Sequence, residues 1–302
     1  METGHPSSTA VSAARSRAAH LFLDDEPKIF NDPFALGLGG FGSEAALRTE
    51  IETRSASAVR RLGSVWALNL FRYPRAMMTM RSRYTEDALD QAIERGVTQY
   101  VILGAGLDSF AFRRLDLVDR LRIFEVDYPA SQQWKQNRLR ELHLALPSNL
   151  NFIPIDFETQ TLAKALTSGG YDPEAPAFLS WLGVTQYLTE EAVLNTLKQV
   201  ASLTSGTEII MTYLVPEALL DQDSQRFLAI NKSGAANRGE PWVSFFEPAV
   251  LTAQMRQLGF DQISHFSPAE ANARYFASRT DGLCLPGLEH LMQARVGRVD
   301  SP

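Results

Sequence analysis

The chain has one cysteine, Cys284, and five histidines, and no Cys/His cluster has the spacing of a zinc site. An internal disulfide is excluded, no metal is expected, and a reducing compartment fits best. Long apolar runs are also missing: nowhere do 18 apolar residues stand together, and the opening METGHPSSTAVSAARSR has no apolar stretch of signal-peptide length. A soluble, cytoplasmic protein without a membrane partner is expected. Positive charge is scarce as well, with 29 Lys and Arg against 35 Asp and Glu, a net charge of −6 and no basic run. Such a surface has no general attraction for nucleic acid. No period of 20 to 50 residues repeats, which argues against a solenoid or propeller.

What is present is ordinary globular composition, 45% hydrophobic and 21% charged over 302 residues, enough for one large domain or one domain with a cap. Five short apolar runs recur from residue 99 onward: QYVILG (99–104), LRIFEVD (121–127), LNFIPID (150–156), APAFLSWLG (175–183) and TEIIMTYLV (207–215). Their length and lack of strict alternation predict strands buried on both faces. Helical signals lie around them. Thr189 as an N-cap, Glu190 and Glu191 in a first turn, and Val193, Leu194, Leu197 and Val200 at helical spacing predict a helix before Gly206. Thr85, Glu86 and Asp87 are expected to open a second helix, EDALDQAIER, which Gly96 ends.

Strands alternating with helices imply right-handed crossovers and a doubly wound, mainly parallel α/β sheet. Ligands of such sheets bind at the carboxyl ends of the strands near the switch point. Residues 1–80 lack this rhythm and are read as an N-terminal helical cap, with residues 81–302 as the sheet domain. An irregular stretch at about 216–247, containing NKSGAANRGEP, is read as a lid.

Chemistry is therefore sought at the strand ends. In VILGAGLDS an apolar strand runs into Gly104, Ala105 and Gly106, which let the backbone approach a ligand, and a helix is expected next. Ser109 stands where a dinucleotide fingerprint needs its third glycine, which weakens a nicotinamide-dehydrogenase reading. In FEVDYP, Glu125 and Asp127 share one face of a strand, with Asp127 nearer the end and able to accept both hydroxyls of a ribose; Glu125 sits deeper and reads as structural. The adjacent Tyr128 and Pro129 suit the start of a helix. Asp156 and Phe157 end the third strand in phase with these, where a carboxylate and a backbone N–H can meet adenine. Arg81 and Arg83, in RSRYTED, can each hold a carboxylate through two parallel hydrogen bonds.

Taken together, RSRYTEDAL, QYVILGAGLDSFAFR, FEVDYPASQQWKQNRL, FIPIDFE and FLSWLGVTQYLTEEAV resemble the leucine carboxyl methyltransferase family, in particular its bacterial S-adenosylmethionine-dependent O-methyltransferases. Weaker echoes lie in TAVSAARSRAA, DPFA and GEPWVSFFEP. The resemblance implies a seven-stranded class I methyltransferase sheet, Rossmann-like, with a helical cap and S-adenosyl-L-methionine as cofactor. It also implies Arg83 on the cofactor carboxylate, Gly104 and Gly106 under its methionine part, Asp127 at the ribose, and Asp156 with Phe157 at the adenine, with Ala105, Tyr128 and Leu182 also expected to border the cofactor. Two departures stand out. Leu182 occupies the place of a glutamate that contacts the cofactor in protein-methylating members, and Phe110 replaces a common arginine, although Arg113 remains. Both argue against a protein C-terminal leucine as substrate.

The expected reaction moves a methyl group to a carboxylate or hydroxyl oxygen of a small molecule, aromatic or polyketide in type, by a monomer or homodimer. Aligning the acceptor and excluding water are the protein's main tasks. For a phenol or alcohol a base helps, and His143, His265, Tyr187 and Tyr213 are the residues to weigh. Trp181, Trp242, Phe245 and Phe246 can wall an aromatic acceptor. A nicotinamide-dependent reductase and a non-catalytic cofactor-binding protein are the alternatives.

Overall fold

The computed structural model of the chain describes residues 8–156 and 160–297. Seven strands form one sheet: β1 Gln99–Leu103, β2 Arg122–Asp127, β3 Leu150–Pro154, β4 Phe178–Trp181, β5 Glu208–Leu214, β6 Phe260–Phe266 and β7 Glu289–Val296. Their order is β3-β2-β1-β4-β5-β7-β6, with β7 antiparallel to both β5 and β6 and every other pairing parallel. The chain moves outward from β1 to β3 and then returns to lay β4 against the other side of β1, so the switch point lies between β1 and β4.

All five apolar runs form strands, and the central ones are buried along their whole length. Ile209, Ile210 and Met211 of β5 are fully covered. Each contributes about 1.5–3 kcal/mol by leaving water. β6 and β7 lie beyond the five runs. FDQISHF in β6 is half exposed, and its pairing with β7 is interrupted between Asp261 and Ser264.

Helices cover both faces. Thr189 caps the Glu190–Ala201 helix as expected, its hydroxyl accepting the Ala192 N–H at 3.2 Å, and the helix ends before Gly206 as expected. The helix expected to open at Thr85 instead begins much earlier. One 26-residue helix, Asn69–Glu94, runs through residues 80 and 81 and delivers the chain to β1. Thr85 is buried within it, where apolar Ala88, Leu89, Ala92 and Ile93 continue the face begun by Tyr73, Ala76 and Met80. The helical N-terminal region comprises Ser8–Leu23, Glu44–Leu62 and the start of this long helix.

After β5 comes the Gln222–Asn237 helix and then a stretch without regular structure to Glu247, together spanning most of the 216–247 region. No helix among the described residues is long and apolar enough to cross a membrane.

Candidate active site

The carboxyl edge of the sheet at the switch point opens into a cavity of ≈ 400 Å³. Leu103 reaches it from β1 with Gly104 just beyond, Asp127 from β2, and Ser180 from β4 with Leu182 just beyond. Gly104 (φ 65°) and Gly106 (φ 48°) both take left-handed backbone. A Cβ on Gly104 would lie 2.5 Å from Cγ2 of Val184, so residue 104 admits no side chain. The helix expected to follow is one short turn, Phe110–Arg113.

Asp127 closes the turn. Its Oδ2 accepts the Gly106 N–H at 2.6 Å and its Oδ1 accepts the Tyr128 N–H at 2.7 Å. Each oxygen retains a second lone pair for a ligand. Burial raises the Asp127 carboxyl above its usual range, and these two N–H groups oppose the shift. Tyr128 itself is exposed, with Pro129 opening the next helix. Glu125, deeper on β2, is bound to Lys135 Nζ at 2.5 Å; burial pushes its carboxyl up to about 7, and Lys135 pulls it back. This pair lies away from the cavity and has the structural role its position suggested.

The N-terminal helix completes the wall with Thr9, Ala10, Ala13 and Arg17. A buried network fixes it there. Arg17 donates from Nε to Asp32 at 2.8 Å and from Nη2 to the Leu107 carbonyl at 2.7 Å, while Ser109 Oγ donates to Asp32 at 2.7 Å. Burial alone would raise Asp32, but the guanidinium groups of Arg17 and Arg113 outweigh it and hold this carboxyl low. Arg113, retained beside Phe110, also binds Glu86.

The two arginines of RSRYTED part company. Arg83 faces outward, 49% exposed, in a one-turn pair with Asp87 at 2.7 Å, and takes no part in the cavity. Residue 81 falls two places earlier on the helix, on the inward face, where Arg81 lies 3.4 Å from Glu289 and borders the cavity. Helical phase gives the physical reason: residues two apart point to different sides. Asp156 follows β3 at the same sheet edge but is not among the residues bordering the cavity, and Phe157 lies outside the described residues.

A second cavity of ≈ 390 Å³ adjoins the first, sharing Thr9, Ala13, Arg81, Gly183 and Tyr187. Tyr187 thus stands where a catalytic residue could, its hydroxyl donating to Thr9 Oγ1 at 3.3 Å. The other three residues weighed as bases do not border either cavity. His143 is exposed in a turn at φ 54°. Tyr213 is fully buried in β5 and bonds His265 Nδ1 at 2.7 Å, while His265 Nε2 meets Thr252 Oγ1 at 2.8 Å. Burial raises the Tyr213 phenol and lowers the His265 imidazole, so both stay neutral. They are a packing pair. Among the four expected aromatic wall residues, only Trp242 borders either of these two cavities; Trp181 and Phe246 fill the core, and Phe245 carries Lys232 over its ring at 5.1 Å.

Glu240 was not singled out in the sequence, yet it joins Gly239 and Pro241 on the first cavity and accepts from Ser8 at 3.0 Å and Thr9 at 2.6 Å. Only the fold brings residues 232 and 231 positions apart together in this way. No group of three or more His, Cys, Asp or Glu side chains suited to a metal occurs among the described residues.

The leucine carboxyl methyltransferase family description matches residues 10–201. The chain belongs to this family. YktD of Bacillus subtilis (strain 168), provisionally named an S-adenosyl-L-methionine-dependent methyltransferase, is 33% identical over 204 residues, 67% of each chain. A Frankia alni protein with the same provisional description is 32% identical over 198 residues, 66% of this chain and 65% of its own. About a third of each relative's length thus lies outside the alignment. A solved structure from Thermobifida fusca YX, provisionally described as a methyltransferase, has the same fold, with a TM-score of 0.56 at 17% identity over 98% of this chain and 97% of that one.

Proposed function

We propose that the protein transfers the methyl group of S-adenosyl-L-methionine to an oxygen of a small molecule, the first cavity holding the cofactor and the second the acceptor. Family membership supports methyl transfer from this donor. The observation that carries the assignment to this cavity is the Gly104–Asp127 arrangement: a glycine position with no room for a Cβ, beside a carboxylate with one lone pair open on each oxygen. These features fit the narrow chain and the ribose diol of the cofactor.

In this reading Gly104, Ala105 and Gly106 back the methionine part and Asp127 binds the ribose, while Asp156, at the same sheet edge but outside the bordering residues, is the candidate for the adenine. Arg81 replaces Arg83 as holder of the carboxylate, because it alone of the two borders the cavity. With Leu182 in place of a glutamate, its backbone carbonyl is the acceptor for the ammonium. When bound, S-adenosylmethionine supplies a methyl group made electrophilic by the sulfonium. The residues bind, orient and exclude water. Thr9, bonded to Glu240 and to the Tyr187 hydroxyl, links the N-terminal helix to the 239–241 segment at the border of the cavity.

The acceptor is a small molecule of aromatic or polyketide type, consistent with the apolar part of the second cavity, to which Met77, Leu214 and Phe227 contribute. Incubating the full chain with methyl-labelled S-adenosylmethionine and paired panels of carboxylic acids and hydroxyl compounds tests the reading. Labelled ester or ether supports it; label on nitrogen or carbon acceptors only contradicts oxygen transfer.

A further inference from the structure

The chain as a whole is acidic, with a net charge of −6, yet the second cavity reverses that balance. Arg15, Arg54, Arg75, Arg81 and Arg238 border it against two carboxylates, Glu50 and Glu289. Counter-charges match only part of this. Arg75 gives Nε and Nη2 to Asp24, and Arg81 faces Glu289. Arg15 and Arg54 share a single carboxylate, their Nη1 atoms lying 3.3 and 3.1 Å from the same oxygen, Oε1 of Glu50. The Arg238 guanidinium has no hydrogen bond or ion pair among the described residues. Glu240, two residues on, borders the first cavity instead and accepts from Ser8 and Thr9. Two positive charges thus stand unmatched, one on the Arg15–Arg54 pair and one on Arg238.

The donors left open suit an anion. Arg54 spends only Nη1 on Glu50 and its side chain is 59% exposed, so Nε and Nη2, the two donors of one guanidinium edge, can bind an acidic group in parallel. Arg15 keeps Nη2, with Nε on the Gly39 carbonyl. Aromatic faces seat both groups, Arg15 over Phe41 at 4.8 Å and Arg54 over Phe71 at 6.0 Å. The three arginines come from separate elements: the Ser8–Leu23 helix, the Glu44–Leu62 helix and the end of the Gln222–Asn237 helix. Gln186 and Asn231 add only uncharged polar groups to the wall. Like charges gathered on one cavity repel one another, and an entering anion relieves that repulsion.

Position separates this charge from the chemistry. Arg15, Arg54 and Arg238 border the second cavity only, whereas the one arginine at the junction of the two, Arg81, already faces Glu289. We propose that the acceptor is an apolar compound carrying an acidic group, a carboxylate, sulfate or phosphate, which Arg54 holds with Arg15 and Arg238 nearby, apart from the oxygen that receives the methyl. The acidic group is a recognition handle, and the reacting oxygen lies toward Arg81. The inference rests on the reading of the second cavity as the acceptor site.

The test is calorimetric titration of the full chain with 2-naphthalenesulfonate and with its neutral analogue 2-naphthalenesulfonamide, each with and without saturating S-adenosylhomocysteine. We expect the sulfonate to bind at least about tenfold more tightly than the sulfonamide, and equally well with or without S-adenosylhomocysteine. Arg54→Gln should weaken sulfonate binding at least about fivefold while sulfonamide and S-adenosylhomocysteine binding stay unchanged, a selectivity that a merely structural arginine would not give. If Arg54→Gln fails to fold, Arg238→Gln takes its place, with an expected loss of at least about threefold. Equal or tighter binding of the sulfonamide, binding of neither probe, or unchanged sulfonate binding in the folded variant overturns the proposal. Competition between the sulfonate and S-adenosylhomocysteine puts the anion on Arg81 and overturns it as well. Failure of S-adenosylhomocysteine to bind, with the Arg54-dependent sulfonate preference intact, overturns the cofactor assignment and leaves the anion site standing.

Discussion

Gly183 gives Arg81 its seat. The glycine adopts φ 71°, and a Cβ there would stand 2.5 Å from Nη1 and 2.9 Å from Cζ of Arg81. Gly183→Ala must therefore move the guanidinium or the backbone, since left-handed φ already costs an L-residue about 1 kcal/mol. The expected outcome is at least about a tenfold weaker affinity for S-adenosylhomocysteine, read by calorimetry, in a protein that still folds.

The two neighbouring arginines give a sharper contrast. Arg81→Ala is expected to weaken S-adenosylhomocysteine binding by about 1.5–3 kcal/mol, the range for a hydrogen bond to a charged group. Arg83→Ala removes only an exposed pair with Asp87, worth about 0.2–1 kcal/mol of stability, and should leave that affinity unchanged. Parallel titrations of the two variants check this. Equal effects would return the carboxylate contact to the outer arginine.

Asp127→Ala should cost about 1–3 kcal/mol of cofactor affinity by leaving the ribose unpaired. It should also lower the melting temperature, because the Gly106 and Tyr128 N–H groups lose their acceptor. Calorimetry and thermal denaturation separate the two effects.

The strand ends were legible because several independent signals agreed there. Buried parallel strands leave uninterrupted apolar runs, and a glycine pair followed by an acid on the next strand marks the edge where the cavity opens. Asp127 was readable for that reason. Arg81 and Arg83 were equally arginine in RSRYTED, and only the phase of a helix whose true start lies at Asn69 separates them. Thr85 reads as a helix opening by local capping chemistry, yet the packing of Tyr73, Met77 and Met80 overrides it. Glu240, Gln186 and Glu289 were not singled out because each acquires its place only when distant segments meet, and no local spacing encodes that meeting. Likewise Tyr213 and His265 are 52 positions apart and look reactive singly; in the fold they satisfy each other.

That pairing has its own consequence. Tyr213→Phe removes one buried hydrogen bond and leaves His265 Nδ1 without it, so a loss of about 1–2 kcal/mol in stability is expected, with cofactor affinity unchanged. Urea denaturation and titration with S-adenosylhomocysteine test the two parts.

The same region governs acid stability. Burial, with a contribution from His265, lowers His290 from an ordinary value near 6.5 to about 4, and burial also lowers His265. The unfolded chain therefore binds more protons below pH 6.5, so this stabilisation is complete above that pH and declines as pH falls toward about 4. Replacing His290 with Gln should flatten the fall in melting temperature between these limits. An unchanged slope would show that carboxylates alone set the acid limb.

Cofactor identity is the claim on which the rest depends. Calorimetric titration of the full chain with S-adenosylhomocysteine, with NADH and NADPH in parallel, tests it most directly. The account predicts micromolar binding of S-adenosylhomocysteine, about −7 to −8 kcal/mol, and none of either nicotinamide. Binding of a nicotinamide cofactor alone, or of none of the three, would contradict it.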